Sequence, residues 1–230
     1  MNYCMIGARG GVGCTSLALA LGRTLNQALY LSLDFGAKDA AKNLRLDPGI
    51  YDLYDLTNRG GKLTDALLES EDLGLIEAPL TKSLKDLDRE GLRALVKDLE
   101  EKYDHLIWDL PIEGLDLLEI LDPDQIYCLA SKDLAAIYRL EDLLFKLRGD
   151  HDRVTPIITG VDNPETLRAR LEEEGLDLGE VKTLPFSKAL DGEAYFYPKD
   201  FAKIITEDIQ DYQEAQDKRG LLSKLFRGNP

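Results

Sequence analysis

Gly7-Ala-Arg-Gly-Gly-Val-Gly-Cys-Thr-Ser16 is the stretch on which the fold turns. From Ala8 it fills the frame of a phosphate-binding loop: Arg9, Gly10, Gly11, Val12 and Gly13, then Cys14, Thr15 and Ser16. Glycines are needed in such a loop because the backbone takes positive φ and must come close to a polyphosphate. Successive N–H groups and the N-terminus of the next helix then point at the anion. The frame ordinarily carries lysine before the threonine, and here Cys14 stands in that place. The expectation is a cradle with its geometry kept and one charge missing.

The neighbours of the loop fit that reading. Tyr3-Cys-Met-Ile6 is a short apolar run suited to a buried strand, and Leu17-Ala-Leu-Ala-Leu-Gly-Arg-Thr-Leu25 is a compact helical pattern beginning after Thr15-Ser16. Strand, glycine loop and helix follow in the order a phosphate cradle requires, which a plain glycine-rich turn would not need.

Arg9 to Ser16 resembles the deviant Walker A box of the MinD/ParA superfamily, Lys-Gly-Gly-Val-Gly-Lys-Thr-Thr, whose first lysine reaches across a dimer to the partner's nucleotide. Arg9 keeps the charge at that first site and Cys14 removes it at the second. Ala28-Leu-Tyr-Leu-Ser-Leu-Asp-Phe-Gly36 is similar to the family's second strand and Asp-x-Asp switch, with Ser32 at the first acidic position and Asp34 at the second. Tyr103-Asp-His-Leu-Ile-Trp-Asp-Leu-Pro111 resembles the Walker B strand and places Asp109 where Mg²⁺ is held through water. Leu73-Gly-Leu-Ile-Glu-Ala-Pro79 resembles a strand of the pilus-assembly branch, the CpaE/TadZ group. Such relatives often carry an N-terminal receiver-like domain, which is not expected in a chain whose first strand starts at about residue 3.

The resemblance implies ATP or ADP with Mg as the cofactor, bound by residues 9–16. Thr15 and Asp109 would serve the metal, and Asp34 the attacking water or the switch. In the family an Asn after the next strand contacts adenine. Here Thr159-Gly-Val-Asp-Asn163 brings Gly160 and Val161 first, which leaves base recognition open.

Strand-like runs lie near Tyr3–Ile6, Ala28–Leu33, Leu73–Ala78, Leu106–Asp109, Gln125–Ala130, Thr155–Val161 and Lys182–Leu184, with helix-length stretches between them. The expected fold is α/β: a mostly parallel twisted sheet of about seven strands with helices on both faces. Residues 1–217 would form one MinD/ParA-like P-loop domain and 218–230 a separate tail. Ligands of such sheets bind beyond the carboxyl ends of the strands, where the loop, Asp34 and Asp109 would meet.

The formal charge of −15 argues against nucleic acid as a partner, because phosphate backbones are bound by clusters of Lys and Arg. Cys4, Cys14 and Cys128 have neither disulfide nor metal-ligand spacing, and no apolar run of 18 residues or signal peptide appears. The expected place is the cytoplasm, peripheral on the inner face of the cell membrane. Cys4 and Cys128 read as core residues. Cys14 reads as a small neutral stand-in for lysine, with a reactive thiol of lowered pKa at a helix N-terminus as the alternative. His105 and His151 read as structural, and Lys132-Asp133 as a nucleotide-edge turn or a solvated loop.

Lys218-Arg-Gly-Leu-Leu-Ser-Lys-Leu-Phe-Arg227 has no acid, whereas residues 207–217 carry five. On a helix, Leu221, Leu222, Leu225 and Phe226 share one face, flanked by Lys224 and Arg227. The tail resembles the membrane-targeting helix of MinD proteins. The alternative is a last helix packed on the core, or a disordered end.

Three function classes follow. The first is a degenerate, dimeric switch that positions a membrane machine such as a Tad-type pilus. The second is a working MinD/ParA-type ATPase in division-site or cargo positioning, using Arg9 or another cation in place of lysine. The third is a metabolic P-loop enzyme or nitrogenase-reductase relative.

Overall fold

The computed structural model describes residues 1–35, 39–70 and 73–185, and the expected tail over 218–230 and the boundary at 217 lie outside the described residues. In chain order the elements are β1 (Asn2–Gly7), α1 (Cys14–Gly22), β2 (Ala28–Ser32), α2 (Asp39–Asn43), α3 (Leu53–Arg59) and α4 (Leu63–Ala66). There follow β3 (Leu68–Glu69), β4 (Gly74–Ile76), α5 (Arg89–Glu100), β5 (His105–Leu110) and α6 (Leu118–Leu121). The last described elements are β6 (Gln125–Ser131), α7 (Leu134–Lys146), β7 (Val154–Thr159), α8 (Pro164–Glu173) and β8 (Lys182–Leu184).

Strands that carry apolar residues at nearly every position can be stable only when both sheet faces are covered. That is the arrangement here. The strands form one sheet in the order β3-β4-β2-β5-β1-β6-β7-β8, parallel throughout except for the β3–β4 pair. Alternate residues of each strand enter opposite cores. Cys4, Ile6, Trp108 and Cys128 pack with Leu53 of α3, Leu92 and Val96 of α5 and Leu140 of α7. Tyr3, Met5, Tyr30, Ile107 and Leu129 pack with Leu17 and Leu21 of α1 and Ala40 of α2. Cys4 and Cys128 are fully buried core residues, as the sequence implied.

β1 lies between β5 and β6, with Ile6 opposite Leu110 on one side and Cys128 on the other. β5 in turn pairs with β2, setting Ser32 opposite Asp109. The carboxyl ends of β1, β2, β5 and β6 thus stand together, and the loop after β1 rises from the middle of that row.

The sheet has one strand more than the seven expected. The addition is β3, a two-residue antiparallel edge strand too short to leave an alternating pattern in the sequence. The strand expected over Leu73–Ala78 is reduced to β4, because Glu77 already turns away: its carbonyl accepts from Leu53 N–H at 2.9 Å and its side chain from Ala41 N–H at 2.8 Å. β7 ends at Thr159 rather than Val161, where Gly160 takes φ 77°. α1 begins at Cys14, before the expected start, and stops at Gly22. Among the described residues no helix is long and apolar enough to cross a membrane.

Candidate functional site

Gly11 and Gly13 sit at φ 77° and 96°, the left-handed region where a side chain is strained, so the loop's glycine spacing follows from its backbone path. At Gly10 and Gly11 a Cβ would meet nothing within 4 Å, so the space in front of the loop is open. Gly13 serves as the N-cap of α1, whose first turn holds no acid and receives no side-chain cap. First-turn amides of a helix lack intrahelical acceptors. The loop therefore presents N–H groups and a helix N-terminus to an open space, which fits a phosphate group.

Beneath the loop, Asp109 is buried and its Oδ2 accepts two hydroxyl hydrogen bonds, from Thr15 Oγ1 at 2.5 Å and from Tyr30 Oη at 2.8 Å. The pairing of Thr15 with Asp109 is a fit for a divalent cation: a hydroxyl oxygen available beside a carboxylate that can receive the cation's water. Tyr30 is fully buried, and its phenol is held well above the ordinary value by burial and then by the Asp109 carboxylate, so it stays protonated and donates to Asp109.

Cys14 is partly exposed as a residue, but its thiol faces inward: a Cβ on Gly7 would lie 3.1 Å from Sγ. Burial pushes the thiol well up, with Asp109, the thiols of Cys128 and Cys4, and Asp34 adding in that order. This is opposite to the lowering that a helix N-terminus gives by itself. The neutral stand-in fits this environment and the reactive thiol does not. Asp34 is exposed at the mouth of the site, its backbone N–H on Ser32 Oγ at 3.2 Å.

Arg9 ion-pairs within its own chain, with Nη2 2.8 Å from Asp133 Oδ2. Asp133 is the N-cap of α7, accepting from Ala136 N–H at 3.0 Å and from Ser131 Oγ at 2.5 Å. The Ser131 hydroxyl, then Ala136 N–H and Arg9, lower its pKa. Lys132, next to it, pairs with Asp162 at 3.4 Å. The 132–133 turn is thus an ordered edge of the site.

The structure places Arg9 to Ser16, Asp34 and Asp109 at the carboxyl end of the sheet, with Thr15 bonded to Asp109 and Asp34 two residues beyond Ser32, which faces Asp109 across β2–β5. Asn163, considered for base recognition, is the N-cap of α8, its Oδ1 accepting from Glu165 N–H at 3.0 Å. His105 lies at the opposite end of β5, stacked on Tyr3 with ring centroids 5.9 Å apart, and burial lowers its pKa. His151 is exposed beside Asp152. The tail residues Leu221, Leu222, Lys224, Leu225, Phe226 and Arg227 lie outside the described residues. Sequence reasoning missed Tyr30. Its signal was the period of two, which puts Tyr30 and Ser32 on the sheet face that carries Asp109.

The backbone path is shared with proteins of known structure. A ParA family ATPase from Chlorobium tepidum TLS superposes with a TM-score of 0.69 at 18% identity, over 84% of this chain and 91% of that one. The septum site-determining protein MinD of Pyrococcus horikoshii OT3, complexed with Mg-ADP, gives a TM-score of 0.62 at 18% identity, over 80% and 81%. This chain has the MinD/ParA-like P-loop NTPase fold. Within that fold its sequence is 25% identical over 165 residues to the septum site-determining protein MinD of Helicobacter pylori, an alignment taking in 67% of this chain. The chain spans 58% of that relative's length. No protein-family profile matches the chain.

Proposed function

We propose that this MinD/ParA-like protein is a nucleotide-binding switch with little or no ATPase activity, acting as a homodimer that positions a membrane-associated machine. The observation that carries this reading is the asymmetry of the site. Thr15 and Asp109 remain paired beneath an open amide cradle, while Cys14, neutral and turned inward, stands where the phosphate-binding lysine would be. When bound, the metal of Mg-nucleotide would supply positive charge to the phosphates, and Thr15 and Asp109 are the residues that would hold it. The loop amides would orient the phosphates. Removing a preorganised cation from developing phosphoryl charge costs about 10²–10³ in rate. Ser32, where the family has an acid, removes a second group.

The working-ATPase reading needs Arg9 or another cation to serve the nucleotide in place of lysine, and Arg9 is engaged by Asp133 at 2.8 Å. That pair also bears on the dimer. Arg9 occupies the position of the family's cross-dimer lysine, so reaching a partner's nucleotide would first require its release from Asp133. A Tad-type pilus is the machine suggested by the Leu73–Pro79 stretch, and residues 218–230 are the segment suited to an anionic membrane.

Steady-state phosphate release with Mg-ATP is the test. The expected rate is at background in the wild type and rises in Cys14→Lys. Turnover well above background that is lost in Asp34→Ala would sink the pseudo-ATPase reading.

A further inference from the structure

The loop offers amides to an anion, but among the described residues the basic side chains of the loop and of the β6–α7 turn are engaged by carboxylates. Cys14, in the place of the lysine, lies against Gly7, its Sγ 3.1 Å from where a Gly7 Cβ would be, on the strand side of the loop. Arg9 of the loop is engaged by Asp133 at 2.8 Å, and Lys132 of the β6–α7 turn by Asp162 at 3.4 Å. Asp109 lies beneath the loop, 2.5 Å from Thr15 Oγ1, and Asp34 follows two residues after Ser32, which stands opposite Asp109 on the neighbouring strand. A helix N-terminus is equivalent to roughly half a positive charge and its reach ends within the first turn. That suffices for one phosphate group; each further phosphate brings charge that must be met by a cation.

We infer that this loop selects a nucleoside diphosphate with Mg²⁺ over the corresponding triphosphate, because the extra phosphate adds negative charge beside Asp34 and Asp109 where lysine is replaced by Cys14. The inference rests on the reading that the loop binds nucleotide, and it specifies which charge state of nucleotide the site holds. The protein would accordingly sit in a diphosphate-bound state without having hydrolysed anything.

Titration calorimetry of the full-length protein in Mg²⁺ tests this with four probes: ADP, ATP, adenylyl imidodiphosphate and inorganic diphosphate. One unit of charge facing carboxylates several ångströms away at a protein surface predicts that ADP binds about tenfold or more tightly than either triphosphate. Cys14→Lys should narrow that ratio to about threefold or reverse it by restoring the charge. Asp133→Asn should also narrow it, since it frees Arg9 while asparagine still caps α7. This second variant decides the matter if Cys14→Lys does not fold. Equal affinities, or tighter triphosphate binding, in the wild type would overturn the inference and leave nucleotide binding intact. A preference untouched in both variants would also overturn it, by removing its cause. Failure of the wild type to bind any of the four probes would overturn the inference together with the nucleotide-binding reading.

Discussion

Asn2 is a buried amide with every polar group engaged: Oδ1 accepts from Trp108 Nε1 at 2.6 Å, Nδ2 donates to the Leu121 carbonyl, and its backbone N–H donates to Asp124 Oδ2 at 2.7 Å. Trp108 is the largest fully buried side chain, and its indole N–H has been taken out of water. Asn2→Ala would leave that N–H and the Leu121 carbonyl without partners, a loss of about 2–6 kcal/mol at about 1–3 for each stranded group. Urea unfolding should show a lower midpoint at unchanged slope, and a loss below about 0.5 kcal/mol would mean that water fills the gap. Residues differ in how far they announce such roles. Gly11 and Gly13 were legible because their requirement is local, a backbone of positive φ. Tyr30 was not, since it gains its meaning from a partner far along the chain, Asp109, 79 residues away. Arg9 was legible as a charge at a meaningful position, but its own-chain partner Asp133 was not.

Elements show the same division between local and distant causes. The strands were readable because both faces of the sheet are buried and apolar runs result, whereas β3 owes its two residues entirely to lying beside β4. Helix contacts were not readable at all. Gly91 in α5 lies so close to α3 that a Cβ there would be 2.0 Å from the Thr57 carbonyl oxygen. Gly91→Ala would ordinarily strengthen a helix by about 1 kcal/mol. Here the obstacle is backbone, which cannot rotate aside, so the helices must separate and the net effect should be a loss of about 1–3 kcal/mol. Thermal unfolding of this single variant distinguishes the two, because a rise in Tm would show that α3 and α5 have room to spare. Since Leu53 at the start of α3 is bonded to the Glu77 carbonyl, displacement of α3 would be felt at the end of β4.

At the scale of the whole molecule, the charge of −15 and the acid-free segment from Lys218 to Arg227 oppose one another. An anionic surface would repel the body and attract the tail, each basic residue there contributing about 1 kcal/mol. One tail of this size binds weakly, and two on a dimer bind far better because the second insertion is intramolecular. Sedimentation with phosphatidylglycerol vesicles should therefore pellet the full-length protein, release it at high salt, and fail with a truncation after Asp217 or with Phe226→Asp. Arg9→Ala should lower pelleting in parallel with the dimer fraction seen by light scattering. Equal pelleting of all these forms would remove the tail as the anchor.

The central position of β1 has a consequence for how the molecule is made. Residues 2–7 leave the ribosome well before the residues they pair with, 106–110 and 125–129. Loop closure over such separations is slow, and contacts this distant are characteristic of late assembly. Until β6 has been synthesised, the phosphate loop hangs from a strand with no neighbour on one side, its apolar residues uncovered. A strand made long before its partners is thus among the last to become native, and a nascent chain arrested before residue 125 could have no finished cradle whatever nucleotide is present.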